Sequence, residues 1–103
     1  MPNELEVATE REGRACWVFQ IRPKGQSAPD WEVTLAWADY DWWSPTGRHT
    51  PSEVALAVMH VLEDASKIEI ESSAGPRRFD ASNIRRLVPG ADRLIVGRLQ
   101  LAR

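Results

Sequence analysis

The chain has too little cysteine for a disulfide and too little histidine for a common zinc site. Of its 103 residues one is cysteine, Cys16, and two are histidine. A single thiol cannot form an internal disulfide, and no CxxC or mixed Cys/His cluster is present. We therefore expect no metal and no cofactor, and Cys16 is interpreted as an ordinary strand residue.

Long apolar runs and the common catalytic or phosphate-binding motifs are also missing. No stretch approaches the roughly 18 apolar residues that a membrane-spanning helix needs. The opening residues, MPNELEVATEREGR, lack the basic and apolar regions of a signal peptide. Patterns of the GxxxxGK[ST], GxGxxG and GxSxG types are absent. We expect a cytoplasmic protein with no membrane partner. We also expect neither a phosphate-binding loop nor a nucleophile elbow.

The overall composition is ordinary except for tryptophan. Hydrophobic residues make up 43% and charged residues 27% of the chain, as in a typical globular domain. A chain of this length forms one core and not two. We predict a single domain over residues 1–103, of which residues 1–13 can be a mobile N-terminal segment. Five tryptophans are an unusually high number for a chain of this length.

Two alternating stretches predict strands near the N-terminus. ACWVFQIR, residues 15–22, places Trp17, Phe19 and Ile21 on one face. WEVTLAWAD, residues 31–39, alternates in the same way. The turn-forming stretch PKGQSAPD lies between them, so the two strands are predicted to form a hairpin.

TPSEVALAVMHVLEDAS, from residue 50 onward, predicts a helix. Thr50 is a suitable N-cap, Pro51 stands at the first helical position, and Glu53 completes a capping box. Helical spacing gathers one core stripe, which consists of Val54, Val58, Val61 and Leu62. Leu56 and Met59 form a second apolar patch, which is either covered by the tryptophan-rich loop or open to a partner.

The C-terminal part predicts a strand, a helix and one ambiguous element. KIEIESS, residues 67–73, alternates as a strand, and Asp80 can cap a helix over residues 81–88 that Pro89 ends. The tail over residues 93–101 fits either a strand or a helix, and Gly97 with its β-branched neighbours favours the strand. The order is ββαβαβ, which indicates an α+β domain with two helices on one face of a largely antiparallel sheet.

DYDWWSP, residues 39–45, combines two carboxylates with three aromatic rings. Asp39 and Asp41 do not continue a calcium-loop pattern, because Trp43 takes the next alternate position and Ser44 replaces the required glycine. We expect both aspartates to be solvated or bound to turn amides. The rings suit a protein or sugar partner better than a nucleic acid, since the aspartates repel phosphate.

The first functional hypothesis is therefore a small interaction module that binds a protein or itself, as a homodimer. Aromatic side chains are enriched in interface hot spots, and a chain this short has a surplus of them. The predicted contact surface consists of Tyr40, Trp42, Trp43, Leu56 and Met59. The competing expectation is that at least one of Trp42 and Trp43 folds back onto the chain's own core.

The charge distribution motivates an alternative, which is anion or nucleic-acid binding. Residues 1–75 carry six basic and thirteen acidic side chains, whereas residues 76–103 carry seven arginines against two aspartates. The predicted anion-binding residues are Arg77, Arg78, Arg85 and Arg86. A bound phosphate would relieve the repulsion between arginines and a helix N-terminus. The competing expectation is that these arginines pair with acidic groups of the same molecule, such as Glu69 or Glu71.

A third hypothesis is a small enzyme in which His49 acts as a general base beside Asp39 or Asp41. Imidazole titrates near neutrality, so the chemistry is feasible. Nothing in the sequence brings these three side chains together. The sequence therefore predicts no catalytic or metal-ligating residue, and we do not expect an enzyme.

Overall fold

A computed structural model of the chain describes residues 4–25, 31–65 and 77–101, and it confirms a mixed α+β fold. Four strands form one sheet, and four α-helices and a short 3-10 helix accompany them within the described residues. In chain order the elements are β1 (Leu5–Gly13), β2 (Cys16–Pro23), β3 (Trp31–Ala36), α1 (Trp37–Trp43), α2 (Pro51–Asp64), β4 (Arg77–Asp80), the 3-10 helix (Ala81–Asn83), α3 (Ile84–Leu87) and α4 (Ala91–Leu101).

The sheet has the strand order β1-β2-β3-β4. The predicted β2–β3 hairpin is confirmed, while β3 and β4 run parallel. Residues 5–13, part of the stretch that can be a mobile N-terminal segment, form β1 and pair antiparallel with β2. Val7 and Thr9 are β-branched and suit a strand, and the pairing register shifts between them. This strand lies at the edge of the sheet.

The second predicted strand ends earlier than expected. It was predicted to run to Asp39, but β3 stops at Ala36 and the chain turns directly into α1. Ala36 pairs with Cys16, which is the first residue of β2, so the neighbouring strand ends at the same point. Trp37 still donates its backbone N–H to the Ala15 carbonyl at 3.0 Å. Beyond that bond the backbone forms helical hydrogen bonds, because no neighbouring strand remains to accept them.

Helix α2 begins as predicted. The Glu53 N–H donates to Thr50 Oγ1 at 3.2 Å, and the Thr50 N–H donates to Glu53 Oε1 at 2.8 Å. The predicted core stripe is buried, namely Val54, Val58, Val61 and Leu62. Met59 is also fully buried and Leu56 is half-buried. Since α2 contacts β1, β2 and β3 as well as α4, burial extends well beyond one stripe.

The C-terminal third differs most from expectation. The predicted strand over residues 67–73 lies outside the described residues. Asp80 does cap the next element, because its Oδ1 accepts from the Ser82 N–H at 3.0 Å, but that element begins as the 3-10 helix and continues as α3. The strand favoured for residues 93–101 is wrong, since these residues belong to α4. Ala91, Ile95 and Leu99 are buried at four-residue spacing, and this helical period outweighs the preference of β-branched residues for strands.

The sheet has one apolar and one polar side, as the alternation predicts. Phe19, Ile21, Val33 and Leu35 are fully buried on the inner side. On the outer side Glu32 pairs with Arg11 at 3.1 Å and with Arg78 at 3.3 Å, and Arg22 pairs with Glu6 at 2.7 Å. None of the helices formed by residues 37–64 and 84–101 combines the length and apolarity needed to cross a membrane.

Candidate interaction surface

Helix α1 presents different side chains to the core and to solvent. Trp43 is 2% exposed and Trp42 is 66% exposed, so the two neighbouring indoles lie on opposite sides of the helix. Asp39 and Tyr40, both half-buried, share the inner side with Trp43. The outer side carries the four exposed residues of the helix, which are Trp37, Ala38, Asp41 and Trp42. We call these four residues the α1 aromatic surface.

The inner side of α1 is fixed by one arginine. Arg85 of α3 donates to Asp39 at 3.0 Å and to Asp92 at 2.8 Å, and its guanidinium lies 4.7 Å from the Trp43 ring centroid. The Trp43 indole N–H donates to the same Asp92 oxygen at 2.8 Å. We call Asp39, Trp43, Arg85 and Asp92 the Arg85 cluster. It joins α1, α3 and α4 through a group that has the planar donors needed for several simultaneous bonds.

The two carboxylate partners of Arg85 favour its charged form. Partial burial acts to lower the pKa of Arg85, but its hydrogen bonds to Asp39 and Asp92 outweigh that effect. The pKa of Arg85 consequently lies above its ordinary value. Arg85 is therefore the cationic member of the cluster, and it links α1 to α3 and α4 through its two ion pairs.

A row of aromatic rings supports the first turn of α1 from below. The Tyr40 ring meets Trp17 of β2 edge-on at 5.3 Å, and Trp17 lies 6.2 Å from Trp37. The Tyr40 hydroxyl donates to the His49 carbonyl in the segment between α1 and α2. Trp37 is 45% exposed, so it rests on this row with one side of its ring toward solvent.

The α1 aromatic surface is a continuous strip of the helix. At about 100° per residue, its four positions span about 140° of the helix circumference. Ala38 and Asp41 lie between the two indoles, so small and acidic side chains separate two large apolar ones.

The contact surface predicted from the sequence is only partly available in the structure. Trp43 and Met59 are buried, because Trp43 belongs to the Arg85 cluster and Met59 belongs to the core. Neither can line an exposed surface. Tyr40 and Leu56 are half-buried against the core. Of the five predicted residues only Trp42 is fully accessible.

Trp37 is the functional candidate that the sequence prediction missed. Strand alternation placed it beside Leu35 on the buried face, whereas it is the first residue of α1. Helical spacing of WADYDWW would not have identified it either. At about 100° per residue, Trp37 lies about 140° from Trp42 and about 120° from Trp43, so spacing alone does not separate the exposed indoles from the buried one.

The four predicted anion-binding arginines do not converge. Arg77 and Arg78 are neighbours in a strand and point to opposite faces of the sheet. The Arg77 guanidinium lies 5.4 Å from the Trp31 ring centroid, whereas Arg78 pairs with Glu32 on the outer face. Arg85 is paired with Asp39 and Asp92 in the Arg85 cluster. Arg86 is exposed and has no ion-pair partner within residues 4–25, 31–65 and 77–101.

The side chains of the enzyme hypothesis, His49, Asp39 and Asp41, do not meet in one site. His49 lines a cavity of about 480 Å³ together with Arg48 and Glu53. Neither Asp39 nor Asp41 lines that cavity, because Asp39 belongs to the Arg85 cluster and Asp41 lies on the α1 aromatic surface. Over the described ranges no group of three or more His, Cys, Asp or Glu side chains is placed to hold a metal ion.

Comparisons of the chain with protein-family models, with curated proteins and with solved structures found no match. The fold and the α1 aromatic surface are therefore interpreted from the chain's own residues.

Proposed function

We propose that the chain is a small cytoplasmic interaction module that binds a protein partner through the α1 aromatic surface. The observation that carries this proposal is the exposure of two tryptophans, 45% for Trp37 and 66% for Trp42, on the outer side of one helix. Tryptophan is among the residues most enriched in interface hot spots. Solvated indoles leave apolar area that a partner can bury.

The support beneath α1 favours binding by reducing its entropic cost. The Arg85 cluster holds the last turn of the helix, and the Trp17 ring lies beneath the first. A surface that is already ordered loses less conformational freedom when a partner arrives. Two rigid aromatic side chains add contact area with few rotatable bonds.

The charge of the surface indicates the chemistry of the partner. Asp41 is exposed between the two indoles, and indole faces attract cations. The best match is a protein segment with an apolar anchor flanked by lysine or arginine. A phosphate backbone is a poor match, because Asp41 would repel it.

Affinity capture with the immobilised chain tests this proposal. We expect at least one protein to be retained by the wild type and lost by the Trp37→Ala/Trp42→Ala variant. For that protein, Trp42→Ala alone should weaken binding by about 30-fold, the effect of removing one hot spot of about 2 kcal/mol. Titration by calorimetry measures the change.

Leu87→Ser is the matched control, because Leu87 is 43% exposed on α3 and lies outside the surface. This variant should capture the same protein with unchanged affinity. Far-UV circular dichroism should show that all variants keep the wild-type fold. A set of captured proteins that is insensitive to the tryptophan substitutions, or no captured protein at all, would refute the proposal.

A further inference from the structure

A second apolar surface lies between α2 and α4, apart from the α1 aromatic surface. It is a groove of about 460 Å³. The residues that line it are Val61, Asp64, Ala65, Arg93, Leu94, Gly97 and Arg98. None of them belongs to α1 or to the Arg85 cluster, so this groove can act independently of the proposed partner surface.

Helix α4 exposes a leucine directly at this groove. Leu94 is 51% exposed, while Ile95 and Leu99 on the opposite side of the helix are buried. Leu94 and Gly97 are three residues apart and therefore lie on one stripe of the helix. On this stripe the side chain of Leu94 protrudes next to Gly97, which has no side chain.

Nothing in the described part of the chain requires glycine at position 97. A Cβ at this position would meet no atom of residues 4–25, 31–65 and 77–101 within 4 Å, and the residue lies inside a helix, where positive φ is not required. Glycine in a helix interior costs about 1 kcal/mol relative to alanine. Within the residues that the structure describes, the notch at Gly97 is not filled, and it allows a second backbone or side chain to approach closely from outside.

The groove contains residues that complement each other in shape and in charge. Leu94 protrudes and Gly97 leaves a notch on the same stripe of α4, and Asp64 and Arg93 supply opposite charges on the same surface. Asp64 pairs with Arg98 at 3.3 Å, whereas Arg93 has no ion-pair partner among the residues that the structure describes. A surface that carries both halves of its own complement is what a two-fold interface requires.

We propose that this groove binds a second copy of the chain about a two-fold axis. Leu94 of each copy enters the notch at Gly97 of the other, and Arg93 of each copy faces Asp64 of the other. The proposal goes beyond the partner surface on α1, because it concerns other elements and a different occupant. A dimer of this kind displays two α1 aromatic surfaces, which raises the apparent affinity for a partner with two binding segments.

Sedimentation of the purified chain over a range of concentrations tests the proposal. The wild type should pass from a mass of 11.6 kDa to twice that mass as its concentration rises. Gly97→Leu should remain monomeric throughout, because its side chain fills the notch. It should not unfold more easily, since the space around Gly97 is open and leucine favours helix. A wild type that stays monomeric, or a Gly97→Leu variant that dimerises normally, overturns the proposal.

Two further variants separate the notch from general effects on α4. Gln100→Leu adds the same leucine to an exposed position of α4 outside the groove, and it should dimerise like the wild type. Arg93→Asp should weaken dimerisation at least tenfold, because it places like charges together across the two-fold axis. Loss of the dimer in Gln100→Leu, or a normal dimer in Arg93→Asp, contradicts the proposed register. Gly97→Leu should still capture the α1 partner, so failure of one proposal is distinguishable from failure of the other.

Discussion

Arg85 connects parts of the chain that no local pattern relates. Its partner Asp39 lies 46 residues away, and its partner Asp92 belongs to another helix. The sequence predicts that Asp39 is solvated or bound to a turn amide, because spacing alone reveals only near neighbours. The expectation that at least one of the adjacent tryptophans is buried is confirmed by Trp43. In helix α1 Trp43 faces the core, whereas its neighbour Trp42 faces solvent.

Replacement of Arg85 measures the strength of this connection. We expect Arg85→Ala to lower the free energy of unfolding by about 1–2 kcal/mol, because it removes two partly exposed ion pairs and one cation–π contact. The side chain is 34% exposed, so solvent screening keeps the loss moderate. Urea unfolding followed by circular dichroism measures it.

The adjacent arginine is the matched control for that substitution. Arg86→Ala removes the same side chain from an exposed position and should change the free energy of unfolding by less than about 0.5 kcal/mol. Equal losses in the two variants would show that the Arg85 cluster contributes nothing specific.

Helices that carry their own start signals were predictable, and helices determined by their surroundings were not. Helix α2 has a capping box and a proline at its first position, and it was predicted correctly. Helix α1 begins at Trp37, its N-cap residue Ala36 makes no side-chain cap hydrogen bond, and its start follows from where the pairing of β3 with β2 stops, at Ala36 and Cys16. Helix α4 contains Gly97 and β-branched residues that locally favour a strand, and its packing against α1, α2 and α3 favours the helix.

The capping box of α2 makes one component of stability depend on pH. The backbone hydrogen bond from Thr50, the largest cause, lowers the pKa of Glu53 below its ordinary value of 4.5. A lowered pKa in the folded state stabilises the fold above pH 4.5, and this contribution is lost as the pH falls through the lowered value. The wild type should therefore lose stability in this acidic range.

Glu53→Gln isolates that component, because glutamine also completes a capping box but does not titrate. We expect the free energy of unfolding of the variant to fall less steeply than that of the wild type as the pH decreases from 5 to 3. Urea titrations at several pH values measure both slopes. Parallel slopes would mean that the hydrogen bond of Glu53 does not depend on its charge.

Across the whole molecule, the opposite charges of the two ends of the chain meet each other. Arg78 pairs with Glu32, Arg85 with Asp39, and Arg98 with Asp64. Each pair joins the arginine-rich C-terminal part to a carboxylate from residues 1–75. The charge asymmetry seen in the sequence is thus partly neutralised within the fold, as the competing expectation held, although the suggested partners Glu69 and Glu71 lie outside the described residues.

This pairing leads to a prediction about nucleic acids. Affinity for a phosphate backbone requires several basic side chains on one face, whose counterions are released on binding. Here Arg77 and Arg78 point to opposite faces, and Arg85 is bound to two carboxylates. Fluorescence anisotropy with single-stranded DNA and RNA oligonucleotides should show no saturable binding at protein concentrations up to about 100 μM, near the weak limit of non-specific binding at physiological salt. Tight binding that weakens steeply with salt, and that Arg77→Ala/Arg78→Ala/Arg86→Ala abolishes, would instead identify these arginines as an anion-binding surface.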